Sequence, residues 1–202
     1  MKQFTAALCI AVSSTAFAAA QGFTEVTEEV GIRFLHDAGD EGNFSLPEIT
    51  GAGAGFFDAD GDSDLDIYLI QGGRSTDPAG PRPGAPGNAL YLQGPPGSFT
   101  DTGTASGAAD TGYGMGLAAG DFDGDGRTDL FVTNYGPDVL YKNVGEGRFQ
   151  DVTIAAGVAG EGWSSSATFC DYDADGRLDL YVTRYVRNDP AKVCTQQDGS
   201  RD

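Results

Sequence analysis

Three stretches of nine residues carry aspartate at their first, third, fifth and ninth positions. We name them loop 1 (residues 58–66), loop 2 (residues 121–129) and loop 3 (residues 171–179). The aspartates at these positions are Asp58, Asp60, Asp62 and Asp66 in loop 1, Asp121, Asp123, Asp125 and Asp129 in loop 2, and Asp171, Asp173, Asp175 and Asp179 in loop 3. Carboxylates this close together repel one another unless a cation lies among them. Oxygen-only ligands favour a hard ion, and Ca²⁺ tolerates such a flexible loop better than Mg²⁺ does. The sequence therefore predicts about three calcium ions.

A backbone carbonyl at position 7 is expected to complete each ligand set. That carbonyl belongs to Asp64 in loop 1, Arg127 in loop 2 and Arg177 in loop 3. Gly126 and Gly176 permit the turn at position 6, where loop 1 has a serine, so the geometry of loop 1 is expected to differ slightly. The alternative for each loop is an acidic surface turn without an ion. For a bound ion we predict a structural role rather than a regulatory one.

The residues that follow each loop exclude an EF-hand. An EF-hand needs a bidentate glutamate at position 12 and a helix after it. Position 12 is Leu69, Val132 and Val182 here, and the β-branched and aromatic residues around it alternate as they do in a strand. Each loop is therefore predicted to join two strands.

The loops belong to a longer repeat. Loops 1 and 2 start 63 residues apart, and loops 2 and 3 start 50 residues apart. A repeat of this length that contains several short strands is typical of a β-propeller blade. We predict an all-β fold, a partial β-propeller of about three blades, spanning residues 21–185. Strands are expected at residues 23–27, before and after each loop, and at residues 89–92, 98–102, 139–143 and 148–152. Residues 72–87 are expected to form a surface loop, and residues 186–202 a polar tail.

Several motifs in these repeats resemble a known family. They are Phe-x-Asp-Val-Thr (residues 149–153), Gly-Met-Gly-x-Ala-x-Gly-Asp-x-Asp-x-Asp-Gly (114–126), Asp-Leu-x-Val-Thr-Asn-Tyr (129–135) and Leu-Tyr-x-Asn (140–143). They look like the FG-GAP (VCBS-type) repeats of integrin-α-like propellers. With Phe34-Leu35-His36, Gly39 and Pro47-Glu48, the chain from Phe23 onward resembles bacterial relatives of cartilage acidic protein, which carry a C-terminal ASPIC/UnbV segment. The resemblance implies a fold that hosts adhesion modules, enzyme accessory domains and some lyases.

That resemblance also bears on the length of the protein and on its cysteines. A closed propeller of this family has about seven blades, so the chain is expected to be the N-terminal part of a longer protein. The resemblance implies that Cys194 pairs with a cysteine further downstream. Pairing between Cys170 and Cys194 is the alternative, although Cys170 is expected to pack as a small buried residue.

Composition and the first residues predict export. The formal net charge is −18, and nothing resembles a basic patch, which argues against a nucleic-acid partner. Residues 1–20 read as a signal peptide, with Lys2, a short apolar stretch and small residues at the cleavage site. A buried first helix, or a lipid anchor at Cys9, is the alternative. The mature chain is expected to lack a transmembrane segment and to be secreted, periplasmic or on the cell surface.

Other candidate residues are expected to be structural. The only histidine, His36, has no nucleophile partner in any motif, so we expect it to lie in the core or to donate a hydrogen bond. Four aromatic residues could line a glycan-binding face, but packing between blades is favoured. They are Tyr113, Tyr135, Trp163 and Tyr185. The serines at 164–166 lack a nucleophile-elbow pattern and are expected to form a strand or turn.

The predicted function is non-enzymatic, with no catalytic residue assigned. The chain is expected to be an exported, calcium-binding propeller module that contacts an extracellular protein or glycan, as in adhesion. The alternative is a calcium-assisted polysaccharide lyase or another secreted enzyme on the same fold. A structural component of a surface layer is a third hypothesis.

Overall fold

The computed structural model describes residues 22–39, 46–73, 84–95, 97–160 and 162–185. These residues form three antiparallel sheets in chain order, with short helical turns between them. Blade 1 contains β1 (Ala54–Phe57), β2 (Asp66–Leu69), β3 (Ala89–Gln93) and β4 (Phe99–Asp101). Blade 2 contains β5 (Gly114–Gly120), β6 (Asp129–Asn134), β7 (Val139–Gly145) and β8 (Arg148–Asp151). Blade 3 contributes the hairpin of β9 (Ser164–Cys170) and β10 (Asp179–Arg184).

Each complete blade is a meander in which consecutive strands pair. The helical turns are α1 (Leu46–Ile49), a 3₁₀ helix at Gly103–Ser106 and α2 (Thr153–Ala156). The all-β, partial-propeller prediction is confirmed, with two complete blades and the first half of a third. None of the helices in the described part of the chain is long and apolar enough to cross a bilayer.

The core lies between the blades because each strand directs alternate side chains to opposite faces of its sheet. Tyr68 of β2 packs with Leu130 and Val132 of β6 in one apolar cluster. One blade further on, Phe131 of β6 packs against Leu180 and Val182 of β10. The third residue of each second strand therefore lies on the face that meets the next blade, which we call the forward face.

Glycine allows the first two blades to approach closely. A Cβ atom added to Gly114 of β5 would lie 2.1 Å from Cγ2 of Ile70 in blade 1. The matching residue at the start of β9 is Ser164, whose hydroxyl donates to Oδ2 of Asp138 in blade 2 at 2.8 Å. At this point of the junction between blades 1 and 2, the backbone of Gly114 packs directly on the side chain of Ile70. A buried hydrogen bond replaces this contact at the junction between blades 2 and 3.

The four aromatic residues form a continuous ladder at the strand ends opposite the loops. Ring centroids lie 6.2 Å apart for Tyr113 and Tyr135, 5.3 Å for Tyr135 and Trp163, and 5.0 Å for Trp163 and Tyr185. The backbone of Tyr135 also bridges to that of Trp163, which links blade 2 to blade 3. The prediction that these aromatic residues pack between blades is confirmed for Tyr113, Tyr135 and Trp163, whereas Tyr185 is 60% exposed and contacts Trp163 of its own blade.

The predicted strand at residues 23–27 is wrong. Residues 22–26 have no regular structure, and residues 27–31 form a turn. Within this segment the Thr27 amide donates to Oε1 of Glu25 at 2.9 Å, and such local side-chain contacts compete with strand pairing. The segment is held to blade 1 by contacts such as Phe99 N to Val30 O at 2.7 Å.

Two further expectations meet exposed side chains. His36 is exposed, so the core position expected for it is wrong, while the alternative that it donates a hydrogen bond stays a prediction. Cys170, expected to be buried, is exposed. Phe57 occupies the position in blade 1 that is equivalent to Cys170. It is only 5% exposed because its ring meets that of Phe149 in blade 2. Cys170 lies on the forward face of blade 3, which no described residue covers. The predicted signal peptide (residues 1–20), most of the predicted surface loop (residues 72–87), Cys194 and the polar tail (residues 186–202) lie outside the described residues.

Candidate metal centres

Each aspartate-rich loop connects the first two strands of a blade. Loop 1 joins β1 to β2, loop 2 joins β5 to β6, and loop 3 joins β9 to β10. The ninth position pairs with the residue just before the loop, as in Phe57 with Asp66 and Gly120 with Asp129. The loop is therefore a hairpin connection whose two ends are fixed by the sheet.

The fold brings three carboxylates together in every loop. Within each group, one ligand oxygen from every member lies within 4.8 Å of the others. The groups are Asp58, Asp60 and Asp62 in loop 1, Asp121, Asp123 and Asp129 in loop 2, and Asp171, Asp173 and Asp179 in loop 3. Positions 1 and 3 thus recur in all three groups. The third member is position 5 in loop 1 and position 9 in the other two, so the predicted set of four is only partly assembled in each loop.

The carboxylate at position 1 organises the backbone around it. Oδ1 of Asp121 accepts from the amides of Gly124 and Asp125 at 2.8 and 3.0 Å, and Oδ2 accepts from Gly126 at 2.8 Å. Asp58 and Asp171 make matching bonds within their own loops. These bonds curl each loop around its first aspartate.

Two positions in each loop have left-handed backbone geometry. At position 6 the φ angle is 74° for Ser63, 84° for Gly126 and 87° for Gly176. Position 4 has the same geometry, and the non-glycine residue there is Ala174, with a φ of 61°. Sequence reasoning identified position 6 but missed position 4, although glycine stands at position 4 in loops 1 and 2.

The aspartate at position 9 ties the loop to the sheet. Asp129 is fully buried, and its two carboxylate oxygens accept from the Phe122 amide at 3.0 Å and the Asn143 amide at 2.7 Å. Asp66 makes the same pair of bonds, to Ala59 at 2.7 Å and Gln93 at 2.8 Å. Burial raises the pKa of both carboxyl groups. Sequence reasoning assigned position 9 only as a ligand and missed this second role.

Loop 2 contains cationic side chains of its own. Nζ of Lys142 on β7 donates to Oδ2 of Asp125 at 2.9 Å and also contacts Oδ2 of Asp123. The guanidinium of Arg127 lies 2.5 Å from the same oxygen of Asp125. The hydrogen bond from Lys142 lowers the pKa of Asp125, and the contacts with Asp123 and Asp125 raise the pKa of Lys142. Arg127, predicted from sequence as a backbone-carbonyl ligand, thus also contributes its side chain.

All of the calcium ligands predicted from the sequence remain predictions, including those at position 7. Asp64 is half-buried, and its Oδ1 atom has no hydrogen-bond partner within the described residues. In loop 3, Asp175 accepts from the amide of Arg177 at 2.9 Å. A Ca²⁺ titration tests the predicted binding of an ion by the carbonyl oxygens of Asp64, Arg127 and Arg177.

Asn143 connects loop 1 to loop 2. Its side-chain amide donates to the carbonyl oxygen of Ala59 in loop 1 at 2.8 Å and to that of Thr128 in loop 2 at 3.0 Å. Asn143 is 2% exposed, and a cavity of about 50 Å³ lies beside it, lined by residues of both loops. Neighbouring loops are therefore in direct contact through the third strand of the later blade.

Comparison with known proteins agrees with this architecture. A search of curated proteins found no match. The family model described as an FG-GAP-like repeat matches residues 58–132 and again residues 121–182. These matches contain all three loops and most of the strands that carry them. The chain belongs to the FG-GAP-like repeat family.

Proposed function

We propose that this chain is a calcium-binding propeller module that is exported and makes contact with an extracellular protein or glycan. The observation that carries the proposal is the recurrence of one carboxylate group in three loops at the same place in successive blades. A single acidic turn is common on protein surfaces, whereas three equivalent ones imply a shared purpose. Only oxygen atoms line these groups, which supports a hard cation such as Ca²⁺.

The proposed role of the ion is structural. Each loop is fixed at both ends by strand pairing, and in loops 1 and 2 also by the buried aspartate at position 9, so its carboxylates cannot move far apart. A bound cation would offset their mutual repulsion and favour the folded state over the unfolded chain. The function of the module would then lie in the surface that the rigid blades present.

The site supports binding rather than catalysis. Two of the basic side chains at the loops, Arg127 and Lys142, are bonded to carboxylates of loop 2. A lyase needs a basic group that is free to reach its acidic substrate, whereas these two are held by carboxylates of the loop itself. Export is supported by the signal-like residues 1–20, and calcium modules outside the cell work at dissociation constants of roughly 10⁻⁴ to 10⁻³ M.

Calorimetric titration of Ca²⁺ into the chelator-stripped chain, with thermal unfolding followed in parallel, tests this proposal. We expect about three sites and an unfolding temperature that rises with Ca²⁺ concentration. A combined Asp60→Asn, Asp123→Asn and Asp173→Asn variant removes one grouped carboxylate from each loop and should lose both effects. Mg²⁺ at the same concentration should bind more weakly.

A second variant controls for the change in net charge. Glu28→Gln, Glu29→Gln and Glu146→Gln remove the same number of charges from exposed positions outside the loops and should leave Ca²⁺ binding intact. No heat of binding at millimolar Ca²⁺, or equal losses in the two combined variants, would contradict the proposal.

A further inference from the structure

We propose that Lys142 is a built-in counter-ion of loop 2, which a metal ion must displace, and that loop 2 consequently binds calcium more weakly than loop 1. This inference rests on the proposed function, because it concerns how one of those sites is regulated. Lys142 lies on β7, outside the three loop motifs, so the sequences of the loops alone do not reveal its effect on calcium affinity.

The contacts of Asp125 show how far loop 2 is already neutralised. Its Oδ2 atom receives Lys142 at 2.9 Å and the guanidinium of Arg127 at 2.5 Å, and its Oδ1 atom accepts from the backbone amide of Arg127 at 3.1 Å. The same ammonium group contacts Asp123, a member of the carboxylate group of loop 2. A cationic group therefore already lies among these carboxylates.

Blade 1 differs from blade 2 at the position that Lys142 occupies. Residue 92 of β3 stands at the register of Lys142, since Tyr91 pairs with Asp101 as Tyr141 pairs with Asp151. That residue is Leu92, so blade 1 places an uncharged side chain where blade 2 places an ammonium group.

A divalent ion and the ammonium group would compete for the same oxygens. Lysine is suited to displacement, because its charge sits at the end of a flexible four-carbon stem and can leave without moving the strand. Ion binding in loop 2 must therefore break the Lys142 contacts first, which lowers the apparent affinity. When the ion leaves, Lys142 returns and keeps the loop in order.

Amide NMR spectroscopy of the whole chain can follow the three loops separately in one Ca²⁺ titration. The reporters are the backbone amides of Gly61 in loop 1, Gly126 in loop 2 and Gly176 in loop 3. In the wild-type chain we expect the Gly126 signal to respond at a higher Ca²⁺ concentration than the Gly61 signal. In Lys142→Gln its midpoint should fall about tenfold or more, as expected for removal of a unit charge a few ångströms away. The midpoints of Gly61 and Gly176 should stay unchanged.

Two variants separate this effect from a general change in charge or folding. Lys142→Arg keeps the charge and should retain the high midpoint of loop 2. Arg148→Gln removes one positive charge from an exposed side chain that pairs with Glu146 and lies outside the loops, and it should change no midpoint.

The outcomes distinguish this inference from the proposed function. If Gly61 and Gly176 respond to Ca²⁺ while Lys142→Gln leaves the Gly126 midpoint unchanged, the inference fails and the proposed function stands. A wild-type loop 2 that fills before loop 1 would also overturn it. If none of the three amides responds at millimolar Ca²⁺, both fail together.

Discussion

At the residue scale, aspartate serves a different purpose at different positions of loops 1 and 2. The aspartates at positions 1 and 3 gather where a cation can reach them, and Asp123 is exposed. The aspartate at position 9 is buried in loops 1 and 2 and accepts two backbone hydrogen bonds there. The conspicuous spacing of the motif therefore combines a candidate ligand set with a structural anchor.

Substitution at these two positions should separate the two purposes. Asp129→Ala leaves the buried amides of Phe122 and Asn143 without an acceptor, so we expect the free energy of unfolding in chelator to fall by about 3 kcal/mol. Asp123→Ala removes an exposed carboxylate with a surface ion pair and should cost less than about 1 kcal/mol under the same conditions. Urea denaturation in chelator measures both values, and equal costs would contradict the distinction.

At the element scale, the close approach of blades 1 and 2 at Gly114 gives a second prediction. Gly114→Ala would push a methyl group into Ile70, so we expect a loss of about 2 kcal/mol in the free energy of unfolding. Gly51→Ala is the matched control, because a Cβ atom there meets nothing within 4 Å and φ is not positive. Its effect should stay within about 0.5 kcal/mol by thermal or urea denaturation. A Gly114→Ala variant as stable as the wild type would show that the blades can separate without cost.

The strand–loop–strand units were predictable because their signal is local. Regular aspartate spacing followed by alternating β-branched and aromatic residues identified each loop and the strands beside it. The exposure of Cys170 could not be predicted locally, since it depends on which blade covers its face. The same holds for Asp129 and Lys142, because the Asn143 amide that Asp129 accepts from and the Asp123 carboxylate that Lys142 contacts lie 14 and 19 residues away in sequence. The turn at residues 27–31 is closed by backbone hydrogen bonds, such as Val30 N to Val26 O at 2.9 Å, which a hydrophobic pattern does not reveal.

At the scale of the whole molecule, a net charge of −18 includes carboxyl groups enclosed between blades. Asp138 is 2% exposed and accepts from the Asn134 amide at 2.9 Å and from the Ser164 hydroxyl at 2.8 Å. Asp110 accepts from the side-chain amide of Asn134 at 2.9 Å. Burial raises the pKa of both carboxyl groups. Acidic groups thus lie inside the junctions as well as in the loops.

The raised pKa values predict how the stability of the metal-free chain depends on pH. A carboxyl group with a higher pKa in the folded state binds its proton more tightly there than in the unfolded chain. Its contribution to the free energy of unfolding therefore falls as pH rises from the ordinary value of 3.8 through the raised value, and is constant above it. Asp125 has a lowered pKa and acts in the opposite direction, but it is exposed and its effect is small.

Asp138→Asn should flatten this pH dependence in chelator. The Oδ1 atom of asparagine can still accept from the Asn134 amide, and its Nδ2 group can donate to the Ser164 hydroxyl oxygen. Asn88, in the matching position of blade 1, accepts from the Gln71 amide at 2.8 Å. We expect the variant to gain stability over the wild type near neutral pH and to lose that advantage in acid, as measured by urea denaturation across the range. Parallel profiles for the two proteins would contradict the proposed influence of Asp138.

The aromatic ladder makes the chain an optical reporter of its own assembly. Trp163 is the single tryptophan and is 3% exposed, with Tyr135 of blade 2 on one side and Tyr185 beyond β10 on the other. Its fluorescence should therefore shift to longer wavelength when blade 3 separates from blade 2 and water reaches the indole. Because the ladder lies at the strand ends opposite the loops, the same emission stays unchanged when ions exchange in a folded chain. One native fluorophore thus distinguishes parting of the blades from events in the loops.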